Sequence, residues 1–372
     1  MVPILYACCR GQDLIWIRRG SGARIFTADA VLTRRFVIFI KPAARVASII
    51  EASAGGALAV VQCAVREVPM STLQRVLLIA PTALSRSPAF DRASGLARAL
   101  GASLHIVAFD FVEVLEVAGL FDHQAMAQAR EGYLQVHRHW LEQQARFERA
   151  HGLQVSTEVL WAKARLQEIL DYVSDYHPDL VVKDAQRVPT LRRIFYQPLD
   201  WLLLRELRQP LHLVTDCRHP LPLKVLAALD LSHLEYLTQG LNQRILEMCA
   251  TLAKHCGARV HLLNVVDWAT ENATGLPIYS PDTNISLRDA VNDAQQEAFE
   301  TLAERYAIAP EHCYRLEGVP HQVIARFAAD NDFDLIVLGR VHRRGLQRFI
   351  GSSAEQLLYH TPCSLMLVEP QE

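Results

Sequence analysis

Three short runs of this chain recur in the same order about 155 positions further on. Gly101-Ala102-Ser103-Leu104-His105-Ile106-Val107 is echoed by Gly257-Ala258-Arg259-Val260-His261-Leu262-Leu263. Asp179-Leu180-Val181-Val182 is echoed by Asp334-Leu335-Ile336-Val337, and Gln209-Pro210-Leu211 by Thr361-Pro362-Cys363. The offsets are 156, 155 and 152 residues. Matches this ordered mark the duplication of one structural unit.

Within each copy, apolar β-type runs alternate with helical patterns. The first copy predicts strands near 75–80, 104–110, 153–160, 179–183 and 211–215, and helices near 87–100, 123–151, 165–176 and 190–207. The second predicts strands near 223–229, 259–266, 312–317, 333–338 and 363–368, and helices near 236–256, 286–307, 320–331 and 352–360. Uninterrupted apolar strands such as Leu335-Ile336-Val337-Leu338 belong to a parallel sheet covered on both faces. The expected fold is α/β: two tandem, doubly wound, Rossmann-like domains over 70–216 and 223–372. Residues 217–222, with Pro220 and Pro222, form the linker, because proline stops a helix from running through.

The first 69 residues carry nine Lys/Arg against four Asp/Glu, which leaves the remainder at −7. That acidic body argues against nucleic acid as a partner, since such binding rests on phosphate neutralisation. The apolar run Ala52–Val65 is 14 residues, too short to span a bilayer. No basic start followed by an apolar core and a cleavage site is present, so no signal peptide is expected. Residues 1–69 read as a leader translated from an upstream start, with the mature protein beginning at Met70. A basic arm lying on a membrane surface is the alternative. The eight cysteines form no CxxC pair and no zinc spacing, so they read as small buried hydrophobes.

In a doubly wound sheet, ligands sit beyond the carboxyl ends of the strands. After its first strand the second copy reads Ala228-Leu229-Asp230-Leu231-Ser232. After its fourth it reads Gly339-Arg340-Val341-His342-Arg343-Arg344-Gly345, and then Gly351-Ser352-Ser353 opens a helix. Glycines allow close backbone approach, helix N-termini attract anions, arginines supply charge and Asp230 can accept from an adenine amine or a ribose. Each feature also has a plain structural reading. Gly-Ser-Ser can be only an N-cap, Asp230 can cap a helix near Glu235, and the arginines can be a solvated face.

Residues 70–372 as a whole resemble the tandem universal stress proteins of the E type. The resemblance is carried by Pro198-Leu199-Asp200-Trp201-Leu202-Leu203-Leu204-Arg205 with Pro210-Leu211-His212-Leu213-Val214, and by Leu338-Gly339-Arg340-Val341 with Gly351-Ser352-Ser353-Ala354-Glu355-Gln356. ATP-binding family members carry glycine, two residues, glycine, nine residues, then glycine and a hydroxyl residue. Here His342 replaces the second glycine, and the interval to Gly351 is one residue short. Asp230 matches the family's adenine-contacting aspartate, and Val265 its second-strand contact. The resemblance implies ATP or AMP as an optional ligand, no required cofactor and no metal. It also implies a cytoplasmic, non-catalytic stress-response module with unnamed protein partners. The domains would pair through Leu211–Thr215 and Cys363–Val368 as an internal pseudo-dimer, with a homodimer as a further assembly. A slow ATPase or ATP-dependent switch in the second domain is the alternative function.

The first copy reads Lys183-Asp184-Ala185-Gln186 after its fourth strand. Asp184 stands in the place of Gly339, and Ala80 or Pro81 in that of Asp230, so no nucleotide is expected there. Trp201 reads as core or interdomain packing. No G-x-S-x-G elbow, H-E-x-x-H or P-loop occurs. His123, His137, His139 and His151 lie along one long polar helix, and His137 and His139 face different sides of it.

Overall fold

The computed structural model describes residues 5–8, 14–17, 47–52, 58–63, 72–118, 123–186, 198–215, 218–232, 240–267, 287–340 and 352–370. The chain divides into two compact units, Met1–Val68 and Pro69–Glu372. In the first, β1 (Leu5–Cys8) pairs antiparallel with β2 (Leu14–Ile17), and β3 (Ala47–Ala52) with β4 (Leu58–Cys63). The sequence shows no sustained period there. Strands of four to six residues leave a period little length in which to appear.

The first half of the second unit runs β5 (Arg75–Ala80), α1 (Pro88–Leu100), β6 (Ser103–Asp110), α2 (Glu113–Ala118), α3 (His123–Ala150), β7 (Val155–Trp161), α4 (Leu166–Tyr176), β8 (Leu180–Asp184), α5 (Leu199–Glu206) and β9 (Leu211–Val214). The second half runs β10 (Lys224–Leu229), α6 (Leu241–Cys256), β11 (Arg259–Val266), α7 (Leu287–Arg305), a 3-10 turn Pro310–His312, β12 (Cys313–Glu317), α8 (Pro320–Asp330), β13 (Leu335–Gly339), α9 (Ser352–His360) and β14 (Ser364–Val368).

Local signals account for the element ends. Ser87 caps α1 by accepting the Phe90 N–H, and Pro88 occupies its first turn. Gly101 and Gly257 end α1 and α6 in the left-handed region, at φ 67° and 69°, where glycine carries no Cβ penalty. The duplicated aspartates fasten the start of each first strand. Asp179 Oδ2 accepts the N–H groups of Gln74 and Arg75 at 2.8 and 2.9 Å. Asp334 Oδ2 accepts those of Leu223 and Lys224 at 3.0 and 2.9 Å.

Ten strands form one sheet in the order β12-β11-β10-β13-β14-β9-β8-β5-β6-β7. The order is a palindrome: each half reads third, second, first, fourth, fifth strand, and the two fifth strands meet. Every neighbouring pair is parallel except β14 and β9, which are antiparallel. Alternate residues of each strand feed two apolar layers. Val76, Leu78 and Ala80 of β5 belong to the layer that also holds side chains of α1, α3, α6 and α7, and Leu77 and Ile79 to the layer that holds those of α4, α5, α8 and α9.

Strand register locates the approximate twofold. Val181 aligns with Leu211, and Ile336 with Leu365, so Leu211 and Leu365 are equivalent. Across the junction Leu365 faces Leu213, Met366 faces His212 and Leu367 faces Leu211. The axis therefore passes between His212 and Met366. His212 is fully buried, and its Nδ1 lies 2.9 Å from the Leu365 carbonyl oxygen. Burial, helped by the Arg92 charge, pushes its pKa down to about 3.

Arg340 crosses the same junction. Its guanidinium, fully buried, donates to the carbonyls of Leu204 at 3.1 Å and Gln209 at 3.0 Å in the first half, and pairs with Glu369 at 2.9 Å. It caps the carboxyl end of α5, whose last carbonyls lack helical partners. Burial still pulls its pKa down to about 10. Sequence reasoning aimed Arg340 at a phosphate. The fold corrects this by turning the side chain inward, where it supplies donors to the other half.

Two outcomes are expected. Arg340→Ala should cost about 3–5 kcal/mol in denaturant unfolding, because it empties a fully buried guanidinium site and takes the donor from several carbonyls and a half-buried carboxylate. Arg326→Ala, which removes an exposed pair with Asp330, should stay within about 0.5 kcal/mol. The second outcome concerns acid. The unfolded chain protonates His212 near its ordinary 6.5, whereas the folded chain resists until about 3. The unfolded state thus binds the extra proton, so stability is full above pH 6.5 and falls on acidification. Two pH units into that window correspond to about 3 kcal/mol. His212→Met, which mirrors Met366, should flatten that part of the stability–pH curve.

Candidate functional site

The carboxyl ends of β10, β11 and β13 form the mouth of the second half. Asp230 leaves β10 in an Asx turn: its Oδ1 accepts the Ser232 N–H at 2.9 Å and the Ser232 hydroxyl at 2.6 Å. Buried Asn242, in the first turn of α6, fixes its backbone. Asn242 Nδ2 donates to the Asp230 carbonyl at 2.7 Å, and the Asp230 N–H donates to Asn242 Oδ1 at 3.2 Å. Ala228 and Val265 are half-buried and belong to the same apolar layer, so they share one face of the sheet. The fold thus brings Ala228, Asp230, Ser232 and Val265 to one rim.

Gly339 ends β13 at that rim, and its role differs from the expected one. A Cβ there would meet the Leu241 side chain at 2.5 Å. Glycine is therefore required for α6 to pack, whether or not a phosphate approaches. Arg340 points away into the junction with the first half. His342, Gly345 and Gly351 lie outside the described residues, as do the side chains of Ser352 and Ser353, although α9 does begin at Ser352.

Sequence reasoning missed the polar network on the opposite face of the same rim. Asn264, buried within β11, donates to the Leu229 carbonyl at 3.1 Å and accepts from Arg315 at 3.3 Å. Arg315 also donates to Gln296 at 2.8 Å. A lone amide inside Leu262-Leu263-Asn264-Val265-Val266 was the available signal, since a buried amide must find partners.

The first half has the same backbone and fills the equivalent positions itself. Parallel registers align Ala80 with Leu229, which makes Pro81 the counterpart of Asp230. Asp184, the counterpart of Gly339, accepts the Ala89 N–H at the start of α1, at 2.9 Å. Lys183 and Asp200 form a buried pair at 2.8 Å, and Asp200 also receives the Gln186 N–H. Asp200 sits in the first turn of α5, so this helix N-terminus already holds a carboxylate. The strand register makes Leu338 the counterpart of Lys183, and the offset between β9 and β14, shared by the carboxyl ends of α5 and α9, makes Ala354 that of Asp200.

Of the α3 histidines, His137 lies 2.5 Å from Asp110, a buried carboxylate whose pKa burial raises. Trp201 is half-buried, with the Arg205 guanidinium 4.5 Å above its ring. Among the described residues, no group of three or more His, Cys, Asp and Glu is placed to hold a metal ion. No described helix is long and apolar enough to cross a membrane.

Residues 225–369 match the model of the universal stress protein family. Universal stress protein E of Salmonella typhi is 27% identical over 308 residues, covering 82% of this chain and 96% of that protein. The Escherichia coli K12 protein of the same name is 26% identical over the same length. Among solved structures, a putative universal stress protein from Pseudomonas aeruginosa UCBPP-PA14 superposes with a TM-score of 0.61 at 23% identity, over 81% of this chain and 95% of that one. One from Archaeoglobus fulgidus gives 0.56 at 15% identity, over 82% and 98%. At those identities the superpositions speak to fold alone. Residues 225–369 match the universal stress protein family, and the likeness of the chain to the E-type proteins extends over both halves.

Proposed function

We propose that the chain is a binding and regulatory module that takes an adenine nucleotide, ATP or AMP, at the mouth of the second half and turns over no substrate. One observation carries this reading: the two halves differ in who supplies the anion. The first half holds Asp184 against α1 and the Lys183–Asp200 pair against α5. The second half has Gly339, Leu338 and Ala354 at those positions, with Asp230 at the exit of β10. Helix α6, beside Gly339, has no acid in its first turn, and a helix N-terminus without an internal carboxylate favours an external one. Asp230 lies beside the adenine or ribose in this reading. A cytoplasmic setting suits Cys249, Cys256, Cys313 and Cys363, which are free thiols.

Titration calorimetry of the full chain with ATP should show one site per chain, weakened at least tenfold by Asp230→Ala. Leu338→Lys combined with Ala354→Asp transplants the first half's ion pair and should remove binding. A like charge 4 Å from a phosphate costs about 4 kcal/mol at a surface-like dielectric. A wild-type chain that takes up neither ATP nor AMP overturns the nucleotide reading. Release of more than one phosphate per chain overturns the non-catalytic one.

A further inference from the structure

At the amino end of β11, away from the nucleotide mouth, the second half carries a cleft of about 510 Å³. Its walls include Leu246, Cys249 and Ala253 of α6, Val260 at the start of β11 and Ile308 of the loop before β12. Burial holds Cys249 as a neutral thiol, so this floor carries no charge. Lys254 also lines the cleft, and among the described residues it has no hydrogen-bond or ion-pair partner.

The first half carries different groups at the aligned positions. The capping glycines Gly101 and Gly257 align Phe90 with Leu246 and Arg98 with Lys254. A shared loop hydrogen bond, Leu153 N–H to the Glu148 carbonyl and Ile308 N–H to the Ala303 carbonyl, aligns Glu148 with Ala303. In the first half Arg98 donates to Glu148 at 2.5 Å. That carboxylate is buried and also receives Arg86 at 2.8 Å, with the Arg86 guanidinium 4.3 Å over the Phe90 ring. The second half keeps a cation, deletes the carboxylate and trims the aromatic ring to leucine. What remains is a largely apolar cleft of ligand size, lined also by Tyr306 and His312, with the exposed Lys254 beside it.

We infer that this cleft binds a small amphipathic carboxylate, an aliphatic acid of medium chain length. Its carboxylate takes the vacated Glu148-like position against Lys254, and its chain lies along Leu246, Val260 and Ile308. Charge complementarity selects an acid over a neutral amphiphile of the same length, because the charge-assisted bond to Lys254 is the one polar contact the chain cannot supply itself. This site is independent of the nucleotide mouth.

Calorimetry of the full chain with octanoate, and with octanol as the uncharged analogue, tests the inference. Octanoate should bind at one site per chain, in the presence or absence of saturating ATP. Lys254→Met, at an exposed position, should weaken octanoate at least tenfold while leaving octanol and the circular dichroism spectrum unchanged. Ala303→Glu, which restores the first half's internal carboxylate, should abolish octanoate binding. The inference fails if the wild type takes up no octanoate at millimolar concentration, if Lys254→Met binds it as the wild type does, or if ATP displaces it.

Discussion

The antiparallel meeting of β9 and β14 is the contact on which the rest of the molecule depends. Each half alone would end in a short apolar strand with a row of unpaired backbone groups, an edge that invites aggregation. Pairing the two edges converts two five-stranded sheets into one of ten. It also buries residues that only a junction can use. His212 is sealed at the axis against Met366, and Arg340 reaches across to finish a helix of the other half. Ten strands is near the upper size for an open, twisted sheet, so the polar crossing by Arg340 matters in holding the centre rigid.

Duplication then let two copies of one backbone diverge by charge. The first half satisfies its own helix ends and clefts with Asp184, Lys183–Asp200 and Arg98–Glu148. The second half carries Gly339, Leu338, Ala354 and Ala303 at the matching positions. Every one of these exchanges removes an internal charge or its partner. Each exchange leaves room for a charge that the first half supplies from its own side chains, which is the common ground of the two proposed sites, the nucleotide mouth and the amino-end cleft.

The sheet was legible in the sequence because its strands are buried on both faces and therefore read as unbroken apolar runs. Helix ends were legible where caps are local, as at Ser87, Gly101 and Gly257. Long-range direction was not. Arg340 follows Gly339 in the chain, yet the carbonyls it donates to lie 131 to 137 residues away, and no local pattern reports where a side chain turns. The choice between Ala80 and Pro81 needed strand register, and the Asn242 clamp on Asp230 needed α6 to arrive from twelve residues on. Helix α2, six residues long, offered less than two turns of periodicity. The His342 loop lies outside the described residues, so the glycine spacing stands only as a sequence feature.

Native-state hydrogen exchange at β9 and β14 tests the central claim most directly. If the junction is the structural centre, the amides of Leu211–Val214 and Ser364–Val368 exchange only through global unfolding, at the same free energy as the buried strands β5 and β10. Exchange at a clearly lower free energy, with both strands opening together while β5 and β10 stay protected, would mean the halves are merely tethered and would contradict the account.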